Sequence, residues 1–156
     1  HEILYKPYPE RRFLDPDPVL EKVDKVENIS IYEKGDDLRY LMANSKVVVT
    51  SRASSTLGWC VASQKPLVFI NYPRQLPLWP KAKEALQKAI FVFDASEDDY
   101  LDKLNQFLSQ PIADIEEQWS QKAAVRKNVV NELFGCDGWG AGQRAAADIT
   151  RFIANK

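Results

Sequence analysis

"VVVTSRASSTLGWCVASQKPLVFI", residues 47–70, sets two apolar runs on either side of a small polar stretch. The runs 47–49 and 67–70 are continuously apolar rather than alternating, the pattern of parallel strands covered on both faces. Between them stand Arg52, Ser54, Ser55 and Thr56, followed by a segment that reads as a helix. A turn needs polar residues, but it does not need three hydroxyls and an arginine. A helix beginning near Ser55 would leave the N–H groups of its first turn unpaired, and its dipole would add partial positive charge there. Such a helix start suits an anion. The hydroxyls of Ser54, Ser55 and Thr56 add donors, and Arg52 adds a fork-shaped cation. The serines equally suit an ordinary N-cap, and the two roles are compatible.

Outward from this stretch, short apolar runs predict strands over 3–6, 29–32, 46–50, 67–70 and 90–93. Helical patterns fall between them at 18–26, 36–44, 55–63 and 80–88, with Asp17 and Asp36 placed as N-caps. Strand–helix alternation of this kind predicts an α/β fold, a Rossmann-like doubly wound parallel sheet with right-handed crossovers. The length of 156 residues suits one domain, residues 1–156. The last third is helical: one helix over 98–109 stops before Pro111, and a long one spans 114–134. Ile115, Trp119, Ala123, Val130 and Phe134 recur on one face of the long helix, which Gly135 stops. A final helix after the glycine-rich 136–142 carries Ala146, Ile149, Phe152 and Ile153. Such stripes read as core packing.

Composition narrows the chemistry. The chain is 45% hydrophobic and 28% charged, as in ordinary soluble globular proteins. A net charge of -1 offers no general attraction to nucleic acid or anionic lipid, so any anion site must be local. No apolar run approaches the ~20 residues of a membrane span. Cys60 and Cys136 form neither a CxxC nor a metal spacing, which points to a reduced, cytoplasmic interior. His1 is the only histidine, which excludes Ser-His-Asp, Cys-His and His-metal chemistry within these residues. No glycine-rich dinucleotide fingerprint or Walker loop is present. Asp36-Asp37 reads as a helix start and Asp98-Asp99 as a solvated first turn, so no metal site is expected.

In open α/β sheets, ligands bind beyond the carboxyl ends of the strands. The first strand delivers Lys6-Pro7-Tyr8-Pro9 there and continues to Arg11 and Arg12. The third delivers Thr50 to Ser55, and the fourth Asn71-Tyr72-Pro73-Arg74. Three loops at one edge each carry a cation, in a chain whose overall balance is slightly acidic. That pattern suits a phosphate-bearing ligand.

"ILYKPYP" (3–9), "DDLRYLMANSKVVVTSRASSTLGWCVASQKPLVFI" (36–70) and "DGWGAGQRAAADITRFI" (137–153) together resemble the C-terminal half of GT-B glycosyltransferases. The nearest are the CDP-glycerol glycerophosphotransferase-like and capsule or surface-polysaccharide transferases. In those families a strand ends in Lys-Pro-His-Pro, a later strand opens a helix through a serine pair, and Gly-Lys-Pro follows. The resemblance implies that Lys6, Tyr8, Arg52, Ser54, Ser55 and Thr56 hold donor phosphates, with Arg11, Arg12 and Arg74 as further anion contacts. Tyr8 stands where the family has histidine, Trp59 where many relatives have a ribose-contacting glutamate, and Gln64 where they have glycine. The implied ligand is a nucleotide-activated sugar or polyol phosphate, with no cofactor and no metal. The acceptor side and catalytic base belong to an N-terminal domain in such enzymes, so these residues alone are expected to be inactive. The resemblance also implies a central strand before Lys6, making the chain a fragment of a two-domain, cytoplasmic transferase. It leaves room for peripheral association of the full-length protein with the inner face of the membrane. A second reading is a non-catalytic Rossmann-like interaction module of a polysaccharide synthesis or export system.

Overall fold

Leu67, Val68 and Phe69 are consecutive and almost wholly buried, so their strand is covered on both faces, as its unbroken apolar sequence requires. The computed structural model describes residues 1–7, 18–32, 34–135 and 140–154. The chain divides into two units, 1–45 and 46–156. The first contains β1 (Ile3–Tyr5), α1 (Pro18–Val23), β2 (Ile29–Ile31) and α2 (Leu38–Asn44). The second contains β3 (Val48–Thr50), α3 (Ser55–Ala62), β4 (Leu67–Asn71), α4 (Pro80–Ala89) and β5 (Phe91–Asp94). It continues with α5 (Tyr100–Leu108), α6 (Ile112–Gln121), α7 (Ala123–Phe134) and α8 (Ala141–Ala154). The fold class is α/β, and the strands form two parallel sheets, β1-β2 and β3-β4-β5. Among the described residues no helix is long and apolar enough to cross a membrane.

In the second unit, α3 joins β3 to β4 and α4 joins β4 to β5. The right-handedness of such crossovers, taken twice in the same direction, places α3 and α4 on one face of the sheet. α5 and α6 pack their rings against β5. There the Phe91 ring lies 4.6 Å from that of Phe107 and 5.9 Å from that of Trp119, while Phe93 meets Phe107 at 5.5 Å. Burying one such ring contributes roughly 1.5–3 kcal/mol.

The end of α3 closes against this layer. Ser63 Oγ donates to the Cys60 carbonyl at 2.6 Å, and Gln64 turns the chain with φ 56°, the left-handed conformation glycine adopts most readily. Its carbonyl accepts the Trp119 indole N–H at 3.1 Å. Cys60, buried inside α3, has its thiol pushed up to about 11 by burial, which leaves it inert.

Three expectations are corrected. The long helix over 114–134 is two helices, broken at Lys122. Contacts with α4 and from within α7 hold the break. Lys122 Nζ donates to the carbonyls of Gln87 and Lys88 at the end of α4, and Arg126 Nη1 donates to the Trp119 carbonyl at 2.7 Å. The apolar stripe is therefore reset: Ile115 and Trp119 are buried, Val129 takes the buried position in α7, and Ala123 and Phe134 are exposed. The stripe on α8 is not core either, for Ile149 and Ile153 are 60% and 65% exposed. Finally, the N-cap of α2 is Asp37, not Asp36. Asp37 accepts from the Arg39 amide and, through both oxygens, from its guanidinium, while the Asp36 carboxylate is taken by the Tyr32 hydroxyl. Asp17 and Cys136 lie outside the described residues.

Candidate ligand site at the carboxyl edge

β3 ends at Thr50, and α3 begins after a four-residue loop. Ser54 is the N-cap in extended conformation, φ -125° and ψ -165°, and its side chain makes no capping hydrogen bond. Only its carbonyl is used, accepting the Leu57 amide at 2.9 Å. A serine that occupies the cap without using its hydroxyl there leaves that hydroxyl, with the amides of Ser55 and Thr56, for another partner. Ser54, Ser55 and Arg52 are exposed and Thr56 is half-buried. These four predicted residues thus share one loop and helix start.

The neighbouring loop, after β4, carries Arg74, exposed. It is tied by the Tyr72 carbonyl, which accepts the amides of Gln75 and Leu76, both at 3.0 Å. Tyr72 itself has its hydroxyl pKa raised by burial and by a hydrogen bond with Tyr100. The loop ends in Trp79, the N-cap of α4, ahead of Pro80 at the first helical position.

Beneath the two loops lies a polar cluster that sequence reasoning missed. Asn71 and Asp94 end β4 and β5, pair in register, and are 1% and 3% exposed. Asn71 Nδ2 donates to Asp94 Oδ2 at 2.9 Å, Lys83 Nζ from α4 reaches the same oxygen at 2.5 Å, and the amide and hydroxyl of Ser96 occupy Oδ1. Burial raises the Asp94 pKa, but the bonds from Lys83, Ser96 and Asn71 more than offset it and hold the carboxyl well below its usual range. Asn71 Oδ1 is buried with no donor on it. The one signal in the sequence is positional: each is the first polar residue after an apolar strand.

Lys6 belongs to the first unit. Its Nζ lies 5.7 Å from the Tyr32 ring. Nearby Asp37 is held down to about 2, chiefly by its hydrogen bonds from Arg39 and in smaller part by the charge of Lys6. Tyr8, Arg11 and Arg12 lie outside the described residues. Among the described residues no three His, Cys, Asp or Glu side chains are grouped to hold a metal ion. No family model, curated protein or solved structure matches this chain.

Proposed function

We propose that this chain is the donor-binding part of a two-domain, GT-B type transferase with Rossmann-like halves. It binds a nucleotide-activated sugar or polyol phosphate for surface-polysaccharide synthesis in the cytoplasm. The observation that carries the reading is Ser54, an N-cap whose exposed hydroxyl is not spent on its own helix, next to Ser55 and Arg52 beyond the carboxyl end of a parallel strand. Amides, hydroxyls and a guanidinium fixed there would stabilise the charge that gathers on a departing nucleotide phosphate. The acceptor and the catalytic base come from the partner domain.

Calorimetry with cytidine or uridine diphosphate tests this. Replacing Ser54 and Ser55 together with alanine should weaken binding by about 1–3 kcal/mol, the range for hydrogen bonds to charged groups. Equal affinity would return the serines to a purely structural role at the helix start. The competing reading, a non-catalytic assembly module, draws on Trp59, a partly exposed indole in place of the acidic residue of the resembled families. Under it, neither diphosphate binds and the partner is another protein.

A further inference from the structure

We propose that Trp79 is the platform on which the base of the bound nucleotide stacks; this rests on the nucleotide reading above and extends it from the phosphates to the base. Trp79 is 66% exposed, an unusual state for the largest apolar side chain, since rings of this kind are normally the most thoroughly used in packing. It is not on a loose segment. The preceding turn is closed by two amides on the Tyr72 carbonyl. Pro80 restricts the backbone of the residue before it, and the Trp79 carbonyl accepts the Lys83 amide at 2.9 Å. Lys83 is the residue whose ammonium is anchored on buried Asp94. The backbone that carries the indole is thus tied to the sheet, while the residue itself stays largely in solvent.

Its place in the fold points to a ligand. The β4–α4 loop opens at the carboxyl edge, beside the β3–α3 loop, because β3 and β4 are hydrogen-bonded neighbours and α3 and α4 share a face of the sheet. Its surroundings point to a class. Lys81 Nζ stands 5.8 Å from the indole centroid, and Arg74 is exposed in the same loop. An apolar protein partner laid over this ring would strip water from Lys81 at a cost. A flat aromatic ligand that carries its own negative charge would not, since its phosphates answer the cations while its ring covers the indole. A nucleoside diphosphate has that combination, and base–aromatic stacking tolerates any base.

The test is calorimetry on the full chain with cytidine diphosphate, uridine diphosphate and inorganic pyrophosphate. Trp79→Ala should weaken both nucleotides by roughly ten- to a hundred-fold and leave pyrophosphate unchanged, while Trp79→Phe keeps most of the nucleotide affinity. Matching unfolding midpoints establish that the variants fold. Unchanged nucleotide affinity in Trp79→Ala, or an equal loss for pyrophosphate, overturns the stacking role. So does a wild-type chain that holds nucleotides no more tightly than pyrophosphate, although the anion site then survives. A wild-type chain that binds none of the three overturns the nucleotide reading itself. Altered self-association in Trp79→Ala with nucleotide affinity intact would assign the indole to a protein contact instead, and also overturns the proposal.

Discussion

Asp94 shows how one buried charge is made tolerable. Its oxygens receive an ammonium, an amide N–H, a hydroxyl and a side-chain amide, so little of its lost hydration is left unreplaced. Its pKa is lower folded than unfolded, so the unfolded chain takes up the proton first as pH falls. The stability it contributes is complete above the ordinary carboxylate pKa of about 3.9 and is lost progressively below it. Asp94→Asn should therefore destabilise the chain by about 2 kcal/mol at pH 7, mainly by leaving Lys83 and the Asn71 amide poorly matched. The gap from wild type should narrow as pH drops below 4. Urea unfolding at pH 7 and at pH 3 measures both; a gap that widens in acid would contradict this account of the carboxylate.

At the level of elements, the α6–α7 break rests on Arg126. Its guanidinium carbon lies 3.6 Å from the Trp119 ring centroid, and it also bonds the Trp119 carbonyl. A planar guanidinium can lie flat on the indole while an edge N–H donates to the carbonyl, a face-on stack that an ammonium cannot make. Arg126→Lys should cost about 1–2 kcal/mol despite keeping the charge, read as a shift in denaturation midpoint without a change in slope. A variant as stable as wild type would show that the break stands without the stack. The break was not legible in the sequence because no helix-stopping residue marks it; the groups that hold it come from α4 and from the next helix. The turn at Gln64 was hidden for a related reason, a side chain standing where the backbone conformation favours glycine. β3, β4 and β5 were legible because an apolar run that never alternates has few other uses. Ser54, Ser55 and Arg52 were legible as a helix start because they follow such a run directly. Asn71, Asp94 and Lys83 were not, since only the register of β4 and β5 and the reach of α4 bring them together.

Over the whole molecule, charge is nearly balanced, with 21 basic and 22 acidic side chains, so binding must depend on local arrangement rather than on a global field. Apolar surface is less evenly resolved. α8 presents Ile149 and Ile153 to solvent, although its spacing reads as a core helix. Spacing reports that a face is apolar; it does not name what covers it. Replacing both isoleucines with glutamine should change unfolding free energy by less than about 0.5 kcal/mol, as for exposed sites generally, while reducing binding of a hydrophobic dye. A loss well beyond that would mean the face is packed in solution.

The order of the second sheet has a consequence for how the protein is made. β3, β4 and β5 are hydrogen-bonded in the order in which they occur, each to a strand roughly twenty residues earlier. As a ribosome extrudes this unit, every new strand meets an edge that already exists and never waits for a neighbour still to be synthesised. The indole of Trp119, which binds back to Gln64, emerges only after all three strands. The sheet can be templated first, and its helical cover fastened over it afterwards.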